Sequence, residues 1–230
     1  MDKLPLTLAM FVRNEERNIR DAIESVYPIV REVVIVDGMS EDGTVEIARK
    51  YTDRVYQIPF PGSFGMLRTI TAHLASSHWI LLLDADERIL SSDWDSLVSL
   101  IDQPMGTSEH PDKEDGEIII DSWALPRKRW LDSWMTRQVD IESYPDWQVR
   151  LFRNHIYCPK IKFVRRVHET VYGAIRTEQT KAVTIHHFQN QNKTSEQLRE
   201  RALLYRRLYE LDLADGVEHT EPPVVAEDDV

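Results

Sequence analysis

Cysteine is nearly absent from this chain: Cys158 stands alone among 230 residues. A single thiol excludes an internal disulfide and any cysteine metal cluster. Such usage suits a reducing compartment. Positive charge is also short, with 28 Lys and Arg against 39 Asp and Glu and a net charge of −11. Proteins that grip nucleic acid by its phosphates need a basic surface, so nucleic acid is not an expected partner. Long apolar runs are missing too. The longest, WILLL at 79–83, falls far short of the roughly 20 residues needed to cross a bilayer. The apolar residues 4–12 run straight into Arg13-Asn14-Glu15-Glu16, which is not the basic-then-apolar order of a secretory leader. These features read together as a cytoplasmic protein. Glycine is lacking where several nucleotide-binding classes require it. The segment Phe11-Val12-Arg13-Asn14-Glu15-Glu16 has no glycine-rich turn of the kind found in dinucleotide dehydrogenases, methyltransferases and P-loop NTPases.

What is present is an alternation. Residues 6–12, 32–36 (EVVIV), 54–58 (RVYQI) and 79–83 are short apolar runs expected as buried strands. Between them, 18–30, 44–51 and 66–76 are expected as helices. The first carries Ile19, Ala22, Ile23 and Val26 at helical spacing and has Pro28 near its stop. Ser40 or Asp42 is the expected cap of the second. Strand–helix alternation implies an α/β fold with a parallel sheet. Ligands of such sheets lie beyond the carboxyl ends of the strands, and the polar clusters 13–16, 37–40 and 84–86 all fall there. A helix is expected at 94–101. Strands, or a strand-to-helix passage, are expected at 117–125 and 146–152, with a further strand at 181–185. The helix expected at 195–211 carries Leu198, Leu203, Leu204, Leu208 and Leu211 on one face. Pro104, Gly106, Pro111 and Gly116 mark 102–116 as a surface insertion. The stretch 214–230 has six acids, no base and Pro222-Pro223, the composition of a disordered tail. The chain thus reads as a single domain, 1–213, with an acidic tail.

Asp84 and Asp86 follow the WILLL run directly. Two carboxylates this close repel, and one would stay protonated unless a cation intervenes. Mg²⁺ or Mn²⁺ takes oxygen ligands and shares its sphere with substrate phosphates, and a departing diphosphate needs that neutralisation. Asp37 ends the second strand, where a carboxylate can accept hydrogen bonds from a ribose or base. Residues 121–166 hold ten Lys and Arg against five acids. Within them Trp123, Trp130, Trp134 and Trp147 lie among Arg127, Lys128, Arg129 and Arg137. Rings stack on sugars, and cations meet an acceptor's phosphates or a membrane surface. Core packing is the competing role for these tryptophans.

The segments VRNEE (12–16), VVIVDGMSEDGT (33–44) and WILLLDADE (79–87) resemble family 2 glycosyltransferases of the GT-A fold. PDWQVRLFR (145–153) and Val167-His168-Glu169 resemble the branch containing lipopolysaccharide-core glucosyltransferases. The likeness runs from about residue 6 to about 209. It implies a Rossmann-like, mostly parallel central sheet with flanking helices. The activity it implies is inverting transfer from a nucleotide-diphosphate sugar, UDP-linked by preference, to a saccharide or lipid-linked acceptor. That transfer would be assisted by Mn²⁺ or Mg²⁺, with peripheral contact at the inner face of a membrane. By the same resemblance, Val12, Asn14, Glu16, Asp37, Arg68, Asp84, Ala85, Asp86 and His168 bind the nucleotide sugar, and Asp86 and His187 hold the metal. The sequence departs from the family at Thr69, where asparagine is usual, at Met39, where glycine is usual, and at Pro145, where an acid is usual.

Inverting transfer is one displacement and needs a base for the acceptor hydroxyl. Asp146 and Glu169 are the candidates, with Asp146 favoured because the base must lie beside the donor. A late histidine completes the metal sphere in the family; His186 and His187 both qualify, and His187-Phe188 fits the usual pair. A sugar nucleotidyltransferase shares this sheet but wants a glycine-rich basic loop after the first strand. A non-catalytic nucleotide-sugar-binding module would have no need of Asp84, Asp86 and Asp146 together.

Overall fold

The computed structural model of the chain describes residues 3–102, 122–139, 144–154, 162–167, 169–172, 177–188 and 193–218. Every apolar run of the first half is a strand. β1 (Leu4–Val12), β2 (Val30–Asp37), β3 (Val55–Gln57) and β4 (Trp79–Leu82) lie parallel in the order β3-β2-β1-β4. α1 (Ile19–Glu24), α2 (Thr44–Ala48) and α3 (Phe64–His73) make the crossovers. Burial on both faces explains the unbroken hydrophobicity of these strands. On β1, Leu6, Leu8, Met10 and Val12 join one apolar cluster, while Ala9 points to a second cluster with Ile80, Leu82 and Phe152.

The sheet then reverses. β8 (Asp146–Arg153) runs antiparallel beside β4, and β6 (Ser122–Trp130) runs antiparallel beside β8. β12 (Ile185–His187) is parallel to β6, and β5 (Glu87–Ile89) closes that edge. β7 (Gln138–Val139) and β11 (Thr177–Gln179) pair with further stretches of β6. β9 (Lys162–Val164) and β10 (Thr170–Tyr172) form a separate hairpin. α4 is Trp94–Ile101 and α5 is Ser195–Ala214. α5 starts on a capping box, in which the Thr194 hydroxyl accepts from the Gln197 amide and the Gln197 side chain accepts from the Thr194 amide. Among the described residues, no helix is long and apolar enough to cross a membrane.

Three local expectations shift. α1 stops at Glu24, and 25–29 continues as hydrogen-bonded turns, with the Tyr27 amide on the Ile23 carbonyl at 2.9 Å. The residue before a proline is disfavoured in a helix, and Pro28 sits in this stretch. Neither Ser40 nor Asp42 is the N-cap of α2: Gly43 holds that position without a side-chain cap, and the Asp42 carboxylate just before it accepts from the Thr44 amide at 3.0 Å. The late strand spans Ile185–His187, so both histidines lie inside it and not after it. Most of the expected insertion (103–116), most of the expected tail (219–230), Cys158 and His168 lie outside the described residues.

Candidate active site

The carboxyl ends of β1, β2 and β4 form the rim. Val12 pairs in register with Asp37, and the Gly38 amide donates to the Val12 carbonyl at 2.8 Å. Asp37 is fully buried. Its carboxylate accepts from the Ser40 amide at 3.0 Å, the Ser40 hydroxyl, and Gln57 Nε2 at 3.2 Å. Met39 takes a left-handed conformation (φ 64°) and is exposed, a backbone state that glycine adopts at less cost. Asn14 and Glu16 lace the first loop to the second. The Asn14 carbonyl oxygen accepts from the Glu41 amide at 2.9 Å, and Glu16 Oε2 accepts from the Gly43 amide at 3.0 Å. Both side chains therefore shape the rim from within.

Asp84 and Asp86 meet different side chains of the chain itself. The chain's own cations divide them. Asp84 takes Arg68 through two contacts, at 2.8 and 3.2 Å, and Arg150 at 3.0 Å. Burial alone would raise the Asp84 pKa, but Arg150 and Arg68 hold it well below the usual carboxylate range. Asp86 faces His187 Nε2 at 3.4 Å and Lys193 Nζ at 3.5 Å. Against the upward push of burial, those two groups keep Asp86 low as well. Ala85 between them is buried in the apolar cluster. The Phe188 amide donates to the Asp86 carbonyl at 2.8 Å, tying the end of β12 to this loop.

His186 and His187 separate cleanly. His186 Nδ1 accepts from Trp130 Nε1 at 3.0 Å, and the two rings stack at 5.8 Å between centroids. Burial lowers the His186 pKa, so this ring is a neutral packing element. His187 is the one beside Asp86. Its Nδ1 is buried and has no hydrogen-bond partner among the described residues. Asp86 and His187 thus bring a carboxylate oxygen and a ring nitrogen within 3.4 Å of each other. No third His, Cys, Asp or Glu joins them among the described residues. A two-ligand seat fits a hard cation whose remaining positions go to phosphate oxygens and water.

Asp84 continues into a chain of alternating charges that the sequence did not reveal. Arg68 Nε donates to Glu169 at 3.0 Å. Arg150 also donates to buried Glu87 at 2.9 Å. Arg127 lies 3.5 Å from Glu87 and 2.7 Å from Asp146. Arg129 reaches Asp146 at 3.2 Å, and Gln148 donates to it at 2.7 Å. Burial raises the Asp146 pKa, but Arg127, Gln148 and Arg129 outweigh it and leave the group low. The one available sequence signal was alternation. Asp146, Gln148 and Arg150 alternate with Trp147, Val149 and Leu151 along β8, and the ladder to β6 is irregular at Arg150. Arg127 and Arg129, expected to meet an acceptor's phosphates or a membrane surface, are ion-paired with Asp146.

Lys193, just before α5, was also missed. It bridges Asp86 and Glu15, the latter at 3.2 Å. Burial pushes the Lys193 pKa down, but Asp86 and Glu15 raise it overall. Glu15 itself is raised, by burial first, with Lys193 opposing. Lys193 and Glu15, with Asn14, Asn18, Asp42 and Gln197, line a cleft of about 270 Å³.

The glycosyl transferase family 2 model matches residues 7–169, most of the chain and all of the rim from β1 to Glu169. The chain belongs to glycosyl transferase family 2. It is 35% identical over 92 residues to the lipopolysaccharide core biosynthesis glycosyltransferase LpsC of Rhizobium meliloti, covering 38% of this chain and 33% of that one. The chain spans about a third of the length of the curated relatives it matches. Among solved structures, S. aureus TarS in complex with UDP-GlcNAc aligns with a TM-score of 0.58 at 18% identity, over 88% of this chain and 66% of that one. Glucosyl-3-phosphoglycerate synthase from Mycobacterium tuberculosis, in complex with Mn²⁺, UDP-glucose and phosphoglyceric acid, aligns at 0.54 and 16%, over 94% and 81%. The GT-A-type α/β fold, with its mostly parallel central sheet, is therefore the one the sequence led us to expect.

Proposed function

We propose that this family 2 domain transfers a sugar, with inversion, from a UDP-sugar to a hydroxyl of a saccharide or lipid-linked acceptor. The observation that carries the reading is the convergence of Asp86 and His187 at the end of β4, 3.4 Å apart, beside a cleft edged by Lys193. Asp37 at the end of β2 would take the ribose or base. Asp86 and His187 would hold Mn²⁺ or Mg²⁺, which supplies charge neutralisation at the donor's diphosphate. Lys193 offers a second cation there. Arg68 and Arg150 hold Asp84 ionised and fixed, a preorganised wall for the donor.

Asp146 serves as the base. Its carboxylate, 22% exposed, is paired with Arg127 and Arg129, and Glu169, 16% exposed, is paired with Arg68. A low pKa does not bar that role. The acceptor hydroxyl becomes strongly acidic only as its oxygen bonds to the sugar, so the proton moves late, within a positioned hydrogen bond. The acceptor would approach along β6 and β8 from the side of a membrane.

Thermal-shift titration with UDP-, GDP-, CMP- and dTDP-sugars, each with Mn²⁺, tests the donor class, because a bound ligand raises apparent stability. UDP-sugars should give the largest shift. Asp86→Ala should abolish both the Mn²⁺-dependent part of that shift and turnover; a variant that keeps its metal-dependent shift would remove the metal assignment.

A further inference from the structure

The turn joining β6 to β7 carries two large apolar side chains that face solvent. Trp134 is 84% exposed and Leu131 is 54% exposed. Soluble surfaces scatter single apolar residues, but two at one tip, one of them an almost bare tryptophan, mark a contact surface. The tip is an ordered turn. The Leu131 amide donates to the Arg137 carbonyl at 3.0 Å, and the Asp132 carboxylate accepts from the Thr136 amide and hydroxyl and the Arg137 amide, each at 3.0 Å.

Its position follows from strand register. On β6, Arg127 is level with Asp146 and Arg129 is level with His187. Leu131 and Trp134 lie beyond that level, so the tip projects past the rim at the end that holds both groups. Four residues of strand from Arg127 to Leu131 amount to roughly 13 Å.

Charge decides what could seat there. The whole chain is at −11, yet residues 121–166 carry ten cations against five acids. Lys128 and Arg137 flank the tip; the Arg137 side chain is 71% exposed and lies 3.8 Å from Asp132 within the turn, while Arg129 is taken by Asp146. A convex apolar knob with a basic collar matches an anionic lipid surface, where tryptophan sits at headgroup level and lysine or arginine meets the lipid phosphates. A saccharide platform would instead be a ring lining a cleft.

We propose that the β6–β7 turn docks the domain on an anionic phospholipid bilayer, with Trp134 and Leu131 inserted and Arg137 on the headgroups. Docked in this way, Asp146 and His187 face the membrane. That consequence rests on the transferase reading; the docking itself is measured with no sugar present. The full chain is floated with vesicles of phosphatidylcholine, with and without phosphatidylglycerol. The wild type should bind the anionic vesicles and lose binding as salt is raised. W134S should weaken partitioning about tenfold or more, and R137E should weaken it on anionic vesicles alone. Brominated phosphatidylcholine, mixed with phosphatidylglycerol, should quench wild-type fluorescence and fail to do so in W134F. UDP and Mn²⁺ should still raise the melting temperature of each variant, which reports an intact fold and tests the donor reading separately. If W134S does not fold, L131S carries the same comparison. Absence of wild-type binding, or equal binding by wild type and W134S, overturns the proposal and leaves the tip to a saccharide or protein.

Discussion

At the scale of single residues, the site is defined by which cation each carboxylate has taken. Asp84 is locked by two arginines, whereas Asp86 faces a histidine and a lysine that a ligand can displace. We propose different duties for the two acids of this motif, and likewise for Asp146 and Glu169. Asp146→Asn should leave UDP-sugar binding within a few-fold of wild type and lower turnover by about 10² to 10⁴. Glu169→Gln should instead weaken donor binding, since it loosens Arg68. Parallel calorimetry and steady-state kinetics on both variants check this, and the reverse pattern would exchange the two roles.

At the scale of elements, α3 and α5 hold the donor groups in place. Gly65 opens α3 where it crosses β9: a methyl group there would lie 2.4 Å from the Arg165 carbonyl oxygen and 3.0 Å from that of Phe163. Gly65→Ala must push the helix or the hairpin aside. It should cost about 1–3 kcal/mol in urea denaturation and displace Arg68, one turn further along the helix. α5 is strapped at both ends. At its start Lys193 reaches Asp86 and Glu15. Near its end buried Asp212 accepts from the Arg166 amide and side chain, each at 2.9 Å, and Tyr205 meets the Phe64 ring edge-on between them. Lys193 thus stands next to Asp86 and His187, the pair proposed to hold the metal. A unit charge a few ångströms from a divalent ion costs on the order of 1–2 kcal/mol even in water. Lys193→Gln should therefore bind Mn²⁺ alone about tenfold more tightly, read by electron paramagnetic resonance, while binding UDP less well when no metal is present.

The elements also show what the sequence could convey. β2 and β4 were legible because their apolar runs stop abruptly at Asp37 and Asp84, so strand, strand end and candidate acid were read together. β6 was legible only to Leu125, since its sequence SWALPRKRW turns from apolar to charged halfway. Those charges make sense only against Asp146 across the ladder and Glu87 from another strand. The role of Lys193 was equally hidden, because its partners Glu15 and Asp86 lie far away in sequence. Patterns within one window were readable; ion pairs closed by the fold were not.

At the scale of the whole molecule, the ionised cluster links stability to pH. Asp84, Asp86 and Asp146 all have folded pKa values below their usual ones. Their contribution is fully present above the unfolded value of about 4 and is lost as pH falls through the folded values. Glu15, raised by burial, acts in the opposite sense, but one group stands against three. The urea midpoint should stay level from about pH 7 to 5 and fall steeply below about 4, as followed by circular dichroism across that range.

The placement of β8 between β4 and β6 has a consequence for how such a domain can be taken apart. The strand beside the metal-seat loop comes from the second half of the chain, and it covers the edge of the nucleotide half. A fragment ending after α4 would expose β4 as an open, wholly apolar edge, ready to pair with another copy. The donor half is therefore not a cassette that can be cut out and grafted onto a different acceptor module. Exchange of acceptor specificity has to be sought in surface turns, with the interleaved strands kept as one inheritance.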